Sequence, residues 1–138
     1  MPPKPTDFEL EILQEIWANG PLAVRDVHTA LSKRRQLVYT SVLKAMQLMH
    51  EKGLLARDES QRSHIYHALV KEQEIKSGIV GSIADQVFGG SAAELAMHAL
   101  SSRPASSEEI RKIQHLLEEL DQRLTEESKP TKPGKKKG

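Results

Sequence analysis

The 138-residue sequence predicts a mainly α-helical protein with one small β-hairpin, divided into an N-terminal domain over residues 7–70 and a helical arm over residues 71–128. Before residue 70, three amphipathic segments precede two short segments rich in β-formers, whereas the apolar residues beyond it recur at helical spacing. The charge changes at the same place: residues 1–70 hold nine basic and eight acidic side chains, and residues 71–128 hold six and eleven. Both changes indicate two modules of different kinds.

The N-terminal domain is predicted to begin with two helices. The first spans residues 7–18, with Asp7 placed to cap it or to interact favourably with its dipole, and its apolar face holds Leu10, Leu13, Ile16 and Trp17. Residues 22–24 form a short apolar link that favours a small strand, and the second helix spans residues 24–32. A basic turn, Lys33-Arg34-Arg35, follows it.

The segment from Tyr39 to Gly53 is predicted to be a helix with two different faces. Its apolar stripe consists of Val42, Ala45, Met46 and Met49. Its other face carries Thr40, Ser41, Lys44 and Gln47. A helix that is buried on one side and carries such polar groups on the other suits insertion into the major groove of DNA, where these groups can bond to base edges.

Two strands are predicted after this helix, over residues 54–58 and 64–68, with a polar connection between them. Three helices followed by a hairpin is the order of the winged helix-turn-helix fold. This order indicates the fold more strongly than any single segment does, because each segment alone is common. Residues 25–64 carry eight basic and four acidic side chains, which favours a polyanionic partner for this domain.

The arm is predicted to hold helices near residues 71–88, 92–100 and 106–127. Gly89-Gly90-Ser91 separates the first two, and a Ser106–Glu109 capping box begins the third. Its apolar residues form two seams, Ile75, Ile79, Ile83 and Val87 in the first and Ile110, Ile113, Leu117, Leu120 and Leu124 in the second. So few apolar residues barely build a core alone, which favours pairing with a second copy of the chain. Residues 1–6 are expected to be a flexible N-terminus and residues 129–138, with five lysines and no acid, a disordered basic tail.

Several function classes are disfavoured by composition. Cysteine is absent, so disulfides, thiolate metal sites and cysteine nucleophiles are excluded, and a cytoplasmic location is expected. The sequence shows no run of about 18 apolar residues and no signal peptide, so no membrane insertion is expected. His64 and His67 point to opposite faces of the predicted strand, and no catalytic motif occurs, so no metal, no cofactor and no enzymatic activity are predicted.

A set of motifs along residues 6–127 makes the chain similar to a known family. These are Glu9-Leu10-Glu11-Ile12-Leu13 with Trp17, Tyr39-Thr40-Ser41-Val42, Lys52-Gly53-Leu54, Arg62 with Tyr66, Phe88-Gly89-Gly90-Ser91, and the Ser-Glu-Glu-Ile start of the last helix. Together they resemble the penicillinase-repressor family, the bacterial repressors of β-lactamase and methicillin-resistance genes. The resemblance implies a homodimeric repressor in which a winged helix binds a palindromic operator and the C-terminal helices dimerise.

The chain departs from that family at a few positions. Leu43 and Leu48 stand where many members have basic or polar side chains, which implies a different operator. Members in resistance operons are cleaved in the helix after the Gly-Gly break, and His98-Ala99 stands at the place of their Asn-Phe pair. The resemblance implies release by proteolysis at His98-Ala99, with a membrane-bound sensor protease as a further partner, but the change of this pair from Asn-Phe does not itself support that release.

The predicted DNA-binding residues fall into three groups. Tyr39, Thr40, Ser41, Lys44 and Gln47 are expected on the recognition helix, with Arg62 and His64 in the wing, and Arg34, Arg35, Arg57 and Arg62 are expected to contact phosphates. Two alternatives stay open. One is a winged-helix protein-interaction module without specific DNA readout, in which Leu43 and Leu48 form a docking surface. The other is a ligand-responsive regulator of another winged-helix family.

Overall fold

The computed structural model describes residues 4–128 and forms six helices and three strands within that range. They run in the order α1 (Asp7–Asn19), β1 (Leu22–Ala23), α2 (Val24–Ser32), α3 (Tyr39–Lys52), β2 (Leu55–Asp58), β3 (Ile65–Ala68), α4 (Glu72–Val87), α5 (Ala92–Ser102) and α6 (Ser107–Ser128). The prediction of a mainly α-helical protein with a small sheet is confirmed. Residues 1–3 of the predicted N-terminal segment and the predicted basic tail lie outside the described residues.

The described residues form two compact units, one ending at Ser91 and the other beginning at Ala92. Helix α4 belongs to the first unit, and its Ile75 is buried. The division at residue 70 follows the change of sequence pattern instead, and it stays a prediction about function. The break between the two units falls directly after Ser91, the last residue of the Gly89-Gly90-Ser91 segment that was predicted to separate two helices.

Helix α1 begins with a cap that differs from the predicted one. Thr6, and not Asp7, is the N-cap: its Oγ1 accepts from the Glu9 N–H at 3.2 Å, and Glu9 Oε1 accepts from the Thr6 N–H at 3.0 Å. This reciprocal pair satisfies two backbone donors at once, so it fixes the start of the helix more firmly than a lone aspartate. Asp7 remains in the first turn, where its charge favours the helix dipole.

The core of the first unit lies between α1, α2, α3 and the sheet. It consists of Ile12, Leu13, Ile16, Val24, Val27, Leu31, Val42, Met46, Met49, Leu54, Leu55 and Tyr66. Leu10 is only partly buried, so the buried face of α1 is centred on Ile12, Leu13 and Ile16. Trp17 packs against this core, and its Nε1–H donates to the Val70 carbonyl at 3.1 Å, which ties α1 to the chain that leaves the sheet.

The three strands form an antiparallel sheet in the order β1-β3-β2. Leu22 pairs with Tyr66 in β1 and β3, and Arg57 pairs with the same Tyr66 from β2. The apolar link before α2 is therefore a strand, as its composition favoured. The wing, which we define as β2, β3 and their connection, is thus attached through β1 to the start of α2.

The second unit consists of α5 and α6, and neither helix has a buried residue. The capping box at the start of α6 is present, because Ser106 N–H donates to Glu109 Oε1 at 2.9 Å and Glu109 N–H donates to Ser106 Oγ at 3.1 Å. Its large exposed apolar side chains are Met97, Leu100, Ile110, Leu116, Leu117, Leu120 and Leu124.

Candidate nucleic-acid interface

Helix α3 is anchored by one face and exposes the other. Val42, Met46 and Met49 have no exposed surface, and burial of each such side chain contributes about 1.5–3 kcal/mol. The helix ends at Gly53, whose φ of 86° is the left-handed conformation that glycine adopts without strain. The opposite face leaves Thr40, Ser41, Lys44 and Gln47 exposed, as the sequence predicted.

The start of α3 is held in place by α2. His28 Nε2 lies 2.8 Å from the Leu37 carbonyl oxygen, and the His28 ring meets the Tyr39 ring edge-on with centroids 5.6 Å apart. Val38, the N-cap residue, makes no side-chain capping bond, and these contacts position the start of the helix without satisfying its first backbone N–H groups. They were not predicted, because a histidine on α2 and the residues before α3 come together only when the two helices pack.

A cleft of about 400 Å³ lies between the start of α2, one side of α3 and the wing. It is lined by Ala23, Val24, Arg25, Tyr39, Leu43, Gln47, Arg57, Arg62, Ser63, His64 and Tyr66. Five predicted DNA-binding residues line it, namely Tyr39, Gln47, Arg57, Arg62 and His64. Thr40, Ser41 and Lys44 do not line it and instead lie exposed on α3. Arg25 lines the cleft and was not predicted as a site residue.

Arg57 is fixed within the wing. It lies 2.6 Å from Glu59 in an ion pair, and hydrogen bonds with Tyr66 and Glu59 raise its pKa. The turn that follows is closed by the Ser60 N–H, which donates to the Asp58 carboxylate at 3.0 Å and lowers the pKa of Asp58. The base of the wing is therefore ordered by its own polar contacts.

The predicted phosphate contacts Arg34 and Arg35 are paired within the chain. Arg34 lies 2.9 Å from Glu15, and Arg35 donates two hydrogen bonds to Glu11 at 2.7 and 2.8 Å. The Arg35 guanidinium also lies over the Phe8 ring at 5.6 Å and, by hydrogen bonding, lowers the pKa of Glu11. Both arginines point to α1, and their contact with DNA stays a prediction.

Arg25 and Arg62 differ from those two arginines. Both are exposed, and neither forms an ion pair with any carboxylate among residues 4–128. The cleft has no acidic residue in its lining. Their charges are thus available to an anion that enters the cleft.

The predicted dimerisation residues differ in their exposure. Ile75 is 4% exposed in the single chain, so it is already buried and does not need a partner. Ile79 and Ile113 are partly buried. The other predicted residues are exposed, namely Ile83, Val87, Ile110, Leu117, Leu120 and Leu124.

The predicted cleavage pair lies on α5, where both His98 and Ala99 are exposed. Ala99 also lines an apolar hollow of about 460 Å³ within the second unit, together with Leu100 and Ile113.

Residues 4–128 contain no group of three or more His, Cys, Asp or Glu that could hold a metal ion. No helix in the described part of the chain is long and apolar enough to cross a membrane.

The fold and the cleft together define a winged helix-turn-helix protein of the DNA-binding class. Its third helix is exposed beside a cationic cleft, and the wing forms the other side. Residues 5–119 match the family profile described as penicillinase repressor. The chain therefore belongs to the penicillinase repressor family, a family of DNA-binding transcriptional repressors and not of enzymes. The resemblance predicted from the motifs is confirmed.

Individual relatives agree with this assignment. The chain is 29% identical over 117 residues to transcriptional regulator BlaI from Mycobacterium tuberculosis, with 83% of each chain covered. It is 23% identical over 124 residues to the penicillinase repressor of Bacillus licheniformis, covering 90% of this chain and 97% of that relative. A solved MarR family protein from Bacillus stearothermophilus has a TM-score of 0.51 at 20% identity, covering 88% of this chain and 76% of its own, and this likeness bears on the fold alone.

Proposed function

We propose that this protein is a dimeric repressor that binds a palindromic DNA operator in the cytoplasm and is released by proteolysis in its second unit. The observation that carries the dimer is the absence of any buried residue in α5 and α6. Leu117 is 57% exposed and Leu124 is 64% exposed, and apolar residues at this spacing require a partner helix. A second copy of the chain offers the same seam in return.

Specific base contacts are assigned to the exposed face of α3. A lysine such as Lys44 can donate to the O6 and N7 of guanine, and a glutamine such as Gln47 can pair with adenine. Thr40 and Ser41 offer hydroxyls that bond to either kind of base or to phosphate. Two such helices, held by the dimer one DNA turn apart (about 34–36 Å) or a multiple of it, would require a palindrome.

Proteolytic release is supported by the family and by the exposure of the site. A cut between His98 and Ala99 would remove most of the second unit and leave the first unit with its complete core. Joining two DNA-binding first units in one dimer can raise operator affinity by about 10²–10⁴, because the second unit then binds at a high effective concentration. Separating the two units would therefore release the operator. A membrane-bound sensor protease is the proposed agent. Mass spectrometry of the protein from derepressed cells should detect this cut, and an intact chain in such cells would contradict it.

The decisive experiment compares the intact chain with two perturbed forms on an operator selected from random duplexes. Leu117→Asp places a charge in the seam and should lower both dimer fraction and operator affinity, the latter by orders of magnitude. A fragment of residues 1–91 should behave in the same way and keep its helical and sheet circular dichroism. Gln114→Asp is the matched control, because it introduces the same aspartate on α6 at a position outside the predicted seam. It should leave the dimer fraction and the operator affinity nearly unchanged.

Sedimentation and anisotropy titration measure the two properties on the same samples. A monomeric fragment that binds the full palindrome as tightly as the intact chain would contradict the dimer mechanism. Dimers that persist in Leu117→Asp would place the interface elsewhere.

A second candidate function is a protein-interaction module that has lost specific DNA readout. It is favoured by one observation, because Leu48 on α3 is 45% exposed beside the polar face. This candidate predicts weak binding that is the same for every DNA sequence. Salt-dependent binding with a preference for one palindrome would exclude it.

A further inference from the structure

The cleft beside α3 brings together cationic side chains from three separate parts of the chain. Arg25 comes from the first turn of α2, Arg57 from β2, and Arg62 from the connection between β2 and β3. Its deeper lining is buried, formed by residues such as Val24 and Tyr66. An anion that enters this cleft therefore meets positive charge from both sides, and no carboxylate in the lining opposes it.

The two sides of the cleft are connected by the sheet and not only by side-chain packing. Ala23 pairs with Ile65 across β1 and β3, and Arg25 lies just two residues beyond Ala23. The wing that carries Arg62 is built on the same strand β3. The spacing of the two arginine-bearing segments is thus set by backbone hydrogen bonds before any ligand arrives, which limits the ordering cost of binding.

The charges in the cleft are unequal in their availability. Arg57 is committed to Glu59 and Tyr66, so it contributes little net charge and mainly shapes the wing. Arg25 and Arg62 have no ion pair within residues 4–128. A guanidinium presents a planar fork of donors that matches two oxygens of a phosphate.

We infer that this cleft is a clamp for one phosphodiester of the DNA backbone, with Arg25 on the α2 side and Arg62 on the wing side. This inference rests on the proposed DNA-binding function and adds Arg25 to the interface. The concave cleft suits a DNA backbone that passes between α3 and the wing. The base edges would instead be contacted by the exposed face of α3, which carries Thr40 and Lys44. Tyr39 and His64 offer further hydrogen-bonding groups at the same place.

The clamp has a defined consequence for specificity. A contact to phosphate carries no sequence information, so it should strengthen binding to operator and random DNA by the same factor. It should also help to fix the register of α3 along the groove, because the backbone must pass between the two arginines at each half-site.

The test uses the full chain and compares Arg25→Gln and Arg62→Gln with Lys76→Gln. Lys76 is a matched control, since it lies in the same unit, carries one positive charge, pairs with Glu72 at 2.8 Å and does not line the cleft. Each cleft variant should lose about tenfold or more in affinity on both operator and random duplexes. Each should also make the log–log salt slope of a dimer shallower, by at most about 2 because the other arginine still contacts the shared phosphate, while Lys76→Gln changes neither affinity nor slope.

Duplexes with a single uncharged methylphosphonate locate the phosphate that is bound. At one position in each half-site, this substitution should weaken the unaltered protein more than Arg25→Gln does, because both arginines lose the charge of the same phosphate. Combined with Arg25→Gln it should cost clearly less than the sum of the two separate losses. Additive losses at every position would overturn the clamp. So would an Arg25→Gln titration that matches Lys76→Gln.

Titration with free inorganic phosphate tests whether the cleft binds a small phosphate ion instead of a phosphate of the DNA backbone. If phosphate ions bind the cleft, as seen by shifts of Tyr39 and His64 resonances, while Arg25→Gln leaves DNA affinity unchanged, the cleft is a site for a small anion and the clamp is refuted. If the unaltered protein shows no salt-dependent binding to any duplex, the proposed function itself fails. Salt-dependent binding that ignores Arg25 and Arg62 removes the clamp alone.

Discussion

The ion pair between Glu9 and Lys52 connects the first turn of α1 to the last residue of α3. The Glu9 side chain is 5% exposed, and its Oε2 lies 2.7 Å from the Nζ of Lys52, whose side chain is 34% exposed. Burial tends to raise the pKa of Glu9, but hydrogen bonds from Lys52 and from Thr6 outweigh burial, so the pKa is lowered. Glu9 is therefore charged in the folded protein and depends on these partners.

We expect Lys52→Met to lower the free energy of unfolding by about 1.5–3 kcal/mol near pH 7, the range for a lost hydrogen bond to a charged group. The larger cost of about 3–5 kcal/mol for breaking a fully buried pair does not apply, because Glu9 keeps the Thr6 N–H at 3.0 Å. Glu9→Gln should cost less, about 1 kcal/mol, since its amide oxygen can still accept from Thr6 and Lys52 can extend into water.

The loss in Lys52→Met should depend on pH. Because folding lowers the pKa of Glu9, the stability from this pair is present above the unfolded glutamate value of about 4.3 and is lost as pH falls through the folded value. Without Lys52, less remains to offset the effect of burial, which raises the pKa of Glu9, so this pKa should rise. The difference in stability between the unaltered protein and Lys52→Met should thus be widest near neutral pH and should narrow below about pH 4.

Urea unfolding followed by circular dichroism measures these values, at one protein concentration because the stability of a dimer depends on it. Lys76→Met is the control: Lys76 and Glu72 are 53% and 43% exposed, so their pair should contribute less than about 1 kcal/mol. Equal losses for Lys52→Met and Lys76→Met, or a loss for Lys52→Met that is the same at pH 7 and pH 3.5, would refute the reasoning.

Three further perturbations act on single features of the chain. Gln47→Ala should cost about 1–3 kcal/mol on the operator and little on random DNA in anisotropy titrations, and equal losses would assign Gln47 to the backbone. Deleting residues 129–138, with their five lysines, should weaken random-DNA binding more than operator preference, and no change in either would leave the tail without a role in binding. Gly53→Ala should lower the free energy of unfolding by about 1–2 kcal/mol because of its φ of 86°, whereas the helical control Gly78→Ala should be neutral or stabilising in the same urea assay.

The elements of the first unit could be predicted because their signals are local. The apolar stripe of α3 recurs at helical spacing and Gly53 ends it, so the predicted and observed helices agree to within one residue. Predicted strand starts at Leu54 and His64 each lie one residue before the observed starts at Leu55 and Ile65. Such small differences arise because strand ends are set by pairing partners, which the local pattern does not contain.

The partners of the arginines could not be predicted from local pattern. Arg35 and Glu11 are separated by 24 residues, and only the packing of α1 beside the turn after α2 brings them together. A signal did exist, since Glu11 and Glu15 lie four residues apart on one face of α1 and match two consecutive arginines. Arg25 was missed for a related reason: its place in the cleft depends on the pairing of β1 with β3, which the sequence indicated only as a possible small strand.

The pairing of these charges determines how strongly salt should affect DNA binding. Residues 25–64 hold eight basic side chains, but Arg34, Arg35, Lys52 and Arg57 are paired with carboxylates in the folded chain. The four others, Arg25, Lys33, Lys44 and Arg62, form no ion pair within residues 4–128.

Because Arg25 and Arg62 share one phosphate, the free cations neutralise two or three phosphates per protomer, and a dimer should show a log–log salt slope of about −4 to −5 in operator titrations. If Arg34 and Arg35 left Glu15 and Glu11 to bind phosphate, four more contacts per dimer would steepen the slope to about −7 to −9. A slope in the steeper range, returned to the shallower one by Arg34→Gln with Arg35→Gln, would show that DNA breaks the pairs with α1. A slope near zero would contradict DNA binding through these cations altogether, since each phosphate contact must release counterions.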